Sequence, residues 1–165
     1  MKAFTFFAVL ALASAANVSS SDSQFATKAA QAGLAEVKLG KLAQDSASSQ
    51  AIKDFGAQMV KDHTQAGDEL KQIASGKGLN LPGEPNGNQE ATYNRLSKLS
   101  GAQFDHAYAT AMVQDHLSAV ADFRRESKAG RDADLKAFAG KTLPTLEHHL
   151  QMSKDIQKQA DVSAK

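Results

Sequence analysis

The chain has 165 residues, 42% of them hydrophobic and 22% charged, with a formal net charge of +1 and no cysteine. The missing cysteines exclude disulfide frameworks, thiolate metal sites, iron–sulfur clusters and thiol catalysis. A near-neutral chain without Trp lacks both the basic field and the stacking platform that nucleic-acid binding draws on, so no nucleic-acid partner is expected.

Residues 1–15 read as a secretory signal peptide. Lys2 supplies the charged start, 4–12 the apolar stretch, and Ala13-Ser14-Ala15 the small residues of a cleavage site. The apolar stretch is well short of the ~20 residues that span a bilayer, so the mature chain is expected to carry no transmembrane segment. No cysteine follows it, which excludes a bacterial lipoprotein anchor. The expected location is periplasmic or secreted, with outer-membrane association left open. Residues 16–23 form a flexible lead, 24–160 the folded domain and 161–165 a tail.

Apolar residues then recur at helical spacing, with Gly and Pro as punctuation. Ser21-x-x-Gln24 reads as a capping box opening a first helix over 25–43, with Phe25, Ala29, Ala32, Leu34, Val37 and Leu39 as its apolar positions. A second helix over 50–75 carries Ile52, Phe55, Met59, Val60, Leu70 and Ile73 and stops at Gly76-Lys77-Gly78. The irregular stretch 79–88 holds Pro82 and Pro85, and a short helix over 89–98 follows. Ser100-x-x-Gln103 reads as a second capping box, opening a long helix over 104–129 that Gly130 ends. The last helix starts near Asp132 or Asp134 and carries Leu135, Phe138, Leu143, Leu146, Leu150 and Ile156; Pro144 inside it predicts a kink.

No segment alternates with a period of two, so the fold class is all-α. Ile52-Lys53-Asp54-Phe55 resembles Leu135-Lys136-Ala137-Phe138 at an offset of 83, and Phe25 and Phe104 open helices at an offset of 79. These offsets suggest two related helical hairpins joined by the longer connection, a bundle with one crossover.

Histidine phasing points to one locus. His63 lies four residues after Met59, His116 four after Met112, and His149 three after Leu146, each on or beside an apolar stripe. His148 points about 100° away from His149, and His106 falls off the Phe104–Tyr108–Met112 row, so both are expected outside the core. Three inward imidazoles from three helices can meet in a bundle core, where they suit zinc, copper, iron or nickel. Glu36 on the first helix offers a carboxylate, so His63, His116, His149 and Glu36 form the candidate metal set; the alternative is that the histidines only pack. The pentads Met59-Val60-Lys61-Asp62-His63 and Met112-Val113-Gln114-Asp115-His116 repeat at an offset of 53. That offset breaks the hairpin symmetry and favours a shared role at one place.

Catalysis is less favoured. Glu36, Glu69, Glu126 and Glu147 are followed three residues later by Leu39, Gln72, Ala129 and Leu150, so the Glu-x-x-His of ferritin-type di-iron centres is missing. Gly-x-Ser-x-Gly, a Gly-rich phosphate loop and His-Glu-x-x-His are also missing.

Four segments in order, AGLAEVKLGKLA at 32–43, FGAQMVKDHTQAGDELK at 55–71, FDHAYATAMVQDH at 104–116 and LKAFAGKTLPTLEHHLQM at 135–152, resemble the domain of unknown function 4142 family of mostly exported bacterial proteins. The resemblance implies a ferritin-like four-helix bundle without the usual ferritin ligands. Its pattern matches His63, His116 and His149, more often has other polar residues at His106 and His148, and carries over no catalytic residue or activity. The expectation is therefore an exported four-helix bundle, with a short extra helix between its hairpins, that binds a metal ion or small ligand rather than catalysing. A protein-interaction or stress-protective module is the alternative, and a metal-dependent redox enzyme stands third. The ligand or cofactor, protein partners and any homo-oligomeric state are left open.

Overall fold

The computed structural model describes residues 18–163; the signal-peptide reading of 1–15 lies outside them. Among the described residues there are five helices and no strand: α1 (Ser20–Ser46), α2 (Gln50–Lys77), α3 (Gly87–Leu96), α4 (Gly101–Ala129) and α5 (Ala133–Ser163). The fold is a ferritin-like four-helix bundle built from two hairpins, α1–α2 and α4–α5. Packing is dense within each hairpin and sparser between them, and α3 rests on α1 and α4. Lys38 of α1 holds α3 in place, pairing with Glu90 at 2.7 Å while its ammonium sits 4.3 Å from the centre of the Tyr93 ring.

The helix ends differ from the motif reading. Neither expected capping box forms. α1 starts earlier because Ser19 is its N-cap, accepting the Asp22 N–H, and Ser100 caps α4 with no side-chain hydrogen bond. A capping box appears instead at Asn86 and Gln89, opening α3. α2 runs to Lys77 and ends on Gly78, whose φ of 65° lies in the left-handed region that glycine adopts without strain. α5 continues through Pro144 as one helix.

The first-helix core also differs. Leu34 and Val37 are only partly buried, whereas Ala26, Ala30, Ala35, Gly40 and Ala43 are buried. The cause is the closeness of α1 to α2. A Cβ on Gly40 would lie 2.6 Å from the Gly56 carbonyl oxygen, and one on Gly56 would lie 2.7 Å from the Gly40 oxygen. The face must therefore be made of small residues.

Two buried aspartates tie each hairpin's connection to the opposite hairpin. Asp105 of α4 accepts the Ser48 and Ser49 N–H groups and the Ser48 hydroxyl. Asp22 of α1 accepts the Arg131 and Asp132 N–H groups. Acceptors and donors alike stand 83 positions apart, the offset that relates Ile52 to Leu135. These contacts place the hairpin relation at an offset of 83, by which Phe25 corresponds to Tyr108 rather than to Phe104.

The apolar core falls into two clusters. One gathers Leu39, Ile52, Phe55, Met59, Phe104, Tyr108, Met112 and Ile156. The other gathers Phe25, Leu70, Val120, Phe123, Leu135, Phe138 and Leu146. Along every long helix a polar residue separates the two: Glu36 in α1, His63 in α2, His116 in α4 and His149 in α5.

Candidate metal centre

The three histidines form a triangle within that polar layer. Their ring centres are 5.8 Å apart for His63–His116, 5.4 Å for His63–His149 and 5.4 Å for His116–His149. One nitrogen from each lies within 4.8 Å of the others. His116 and His149 are 1% exposed and His63 is partly buried. His106 and His148 are exposed, as their phasing predicts, and His106 contacts Asp161 at the surface.

Hydrogen bonds fix which nitrogen is free in His116 and His149. His116 Nδ1 lies 2.9 Å from the Met112 carbonyl oxygen, which can only accept, so Nδ1 carries the proton and Nε2 keeps its lone pair. His149 Nε2 lies 2.8 Å from an Asp62 carboxylate oxygen, so it donates and Nδ1 keeps the lone pair. Gln58, one turn before Asp62, donates to the same carboxylate at 2.7 Å. The buried His63 Nε2, His116 Nε2 and His149 Nδ1 have no hydrogen-bond partner.

All three imidazoles are held neutral. Burial, reinforced by the other two rings, keeps His63 well below the usual histidine range. Burial brings His116 down to about 4, against the opposing pull of its Met112 bond. Burial lowers His149 as well, with the Asp62 bond opposing. Neutral imidazoles with inward lone pairs are the form in which histidine binds metal.

The carboxylates around the triangle differ in role. Glu36 is buried in the same layer, but its carboxyl stands outside the group of converging nitrogens. Burial, then the Asp115 charge, pushes it well above the ordinary glutamate value, and its Oε2 has no partner. Asp62, which precedes His63 in the first pentad, reaches across to α5. The 87 positions between Asp62 and His149 leave no local pattern to find. The Gln58–Asp62 spacing of four residues was the only available trace.

A cavity of about 270 Å³ opens beside the triangle, between the hairpins. Glu36, His63 and His116 line one part of it, and Phe25, Phe123 and Phe138 another.

Fold and site together define a four-helix bundle with an imidazole cluster in its core and, among the described residues, without the carboxylate–histidine ligands of ferritins. A family model described as "Domain of unknown function (DUF4142)" matches residues 8–156. The chain belongs to that family. No curated protein matches it. Among solved structures, a DUF305 fragment from Deinococcus radiodurans superposes with a TM-score of 0.76 at 15% identity, covering 87% of this chain and 99% of that one. A DUF305 protein from Streptomyces coelicolor gives 0.73 at 13% identity, covering 86% and 92%. At these identities the likeness concerns the fold.

Proposed function

We propose that this is an exported bundle protein that binds one divalent transition-metal ion through His63, His116 and His149, and that it binds without catalysing. One observation carries the reading: three neutral imidazoles converge, and each has a buried ring nitrogen without a hydrogen-bond partner. Each unsatisfied buried polar group costs about 1–3 kcal/mol, and a metal ion would relieve all three together. The bonds from His116 to a carbonyl and from His149 to a carboxylate are the outer-shell contacts that orient metal-binding imidazoles. Asp62 and Asp115 would offset the ion's charge, and an all-imidazole donor set suits Zn²⁺, Cu²⁺ or Ni²⁺ better than Mg²⁺ or Ca²⁺. The amino-terminal signal pattern supports export, and the Streptomyces neighbour is itself described as a candidate secreted protein.

The test is elemental analysis and melting of EDTA-treated protein titrated with Zn²⁺ and Cu²⁺. One equivalent should bind, and at a hundredfold excess over Kd it should add about 2.7 kcal/mol of stability. His63→Ala and His116→Ala should each abolish the same uptake. A folded protein indifferent to both metals would leave the histidines as packing residues and favour an interaction module.

A further inference from the structure

We propose that the cavity between the hairpins binds a small, uncharged, largely apolar molecule carrying one hydroxyl group, with the Glu36 carboxyl as its polar anchor. The proposal stands on the cavity and does not require a metal. At about 270 Å³ the space is ample, since an apolar hole of about 150 Å³ already admits a benzene ring.

The lining is two-ended. It runs along α1 from Phe25 to Glu36, about 16 Å at the rise of a helix. At the Phe25 end the rings of Phe25, Phe123 and Phe138 pack with centres 4.9, 6.5 and 5.8 Å apart, giving an aromatic wall for a hydrocarbon body. At the other end stands Glu36, a residue only 5% exposed whose buried Oε2 meets no donor or acceptor of the protein.

The chemistry of that oxygen selects the ligand. A hydroxyl can donate or accept, so it satisfies the carboxyl in either protonation state. A pure hydrocarbon would leave Oε2 unpaired. An anionic ligand would meet Glu36 and the Asp115 side chain, which also lines the cavity. Selectivity for a hydroxyl-bearing ligand over the analogue that lacks the hydroxyl is what such a buried acceptor confers.

Three probes sharing one tolyl body test this: p-cresol, toluene and 4-methylbenzoate, titrated into the full mature chain in EDTA and followed by calorimetry and ligand-observed NMR. p-Cresol should bind at least about tenfold more tightly than toluene, the effect of leaving one buried polar atom unpaired, and 4-methylbenzoate should not bind. Glu36→Leu, its folding checked by circular dichroism, should keep toluene binding and abolish the preference for p-cresol. Ala66→Phe, which fills the cavity from α2, should remove binding of both and gives an independent check if the Glu36 variant does not fold. Failure of p-cresol to bind at millimolar concentration, tighter binding of 4-methylbenzoate, or an unchanged preference in Glu36→Leu would each overturn the proposal. Because EDTA is present, loss of p-cresol binding is read separately from loss of zinc uptake.

Discussion

Glu126 offers a quantitative test of how the hairpins meet. Its carboxyl is buried at the end of α4 beside Asp22, which is already committed to the Arg131 and Asp132 N–H groups. Burial alone would raise Asp22, but those two bonds and Ser19 outweigh it and hold the carboxyl below its ordinary value. Asp22 therefore stays charged, and the proton resides on its neighbour. Burial first, then the Asp22 charge and the hydrogen bond to it, bring Glu126 up from 4.5 to about 7, with Arg125 opposing and Asp132 adding. A carboxyl raised in the folded state stabilises fully below its unfolded value, and that stability is lost as pH rises through about 7. The full displacement corresponds to about 3.4 kcal/mol. An open groove lined by Asp22, Arg125 and Glu126 brings water and the Arg125 charge to the pair, so about 1 kcal/mol is expected. Glu126→Gln keeps a donor for Asp22 and removes the titration. Its urea midpoint should match the parent near pH 5 and exceed it by about 0.5 M near pH 8, for a slope of about 2 kcal/mol per molar. Equal midpoint differences at the two pH values would refute the shared-proton account.

Two further outcomes follow from the packing. Asp105→Ala removes the acceptor of two part-buried N–H groups and a hydroxyl and should lower stability by about 2 kcal/mol in urea unfolding, with Asp105→Asn milder because it can still accept. Gly56→Ala drives a methyl into the Gly40 carbonyl and should cost about 2–4 kcal/mol, whereas Gly67→Ala, on the same helix with nothing within 4 Å of its Cβ, should add about 0.5–1 kcal/mol. Melting temperatures of the pair, displaced in opposite directions, check both.

The histidine triangle was legible because it rests on spacing within helices. Met59–His63 and Met112–His116 place each ring one turn beyond a core methionine, and a helix holds that phase whatever it packs against. Helix ends were harder to read. Ser19, Ser20, Ser21 and Ser23 offer competing caps, and the bond from Asp22 to the other hairpin engages a residue that local pattern leaves free. The α1 core misled for a related reason. Leu34 and Val37 are the larger hydrophobes, but the Gly40–Gly56 contact admits only small side chains. Asp62 and Glu36 have their roles assigned by residues from other helices, which no window along the chain contains.

The 83-residue offset has a consequence for the number of sites. Moved by that offset, His63 falls on Leu146, His116 on Gly33 and His149 on Ala66. All three counterparts line the cavity. Where one side of the pseudo-twofold carries imidazole, the other carries glycine, alanine and leucine, and these small and apolar residues form the hydrocarbon part of a cavity whose remaining part His63, His116 and Glu36 line. Glu36 likewise corresponds to Ala119, another residue of the cavity wall. A bundle with equivalent halves would carry two matching centres. Here the halves have diverged, and the bundle carries one imidazole triangle with one open space beside it.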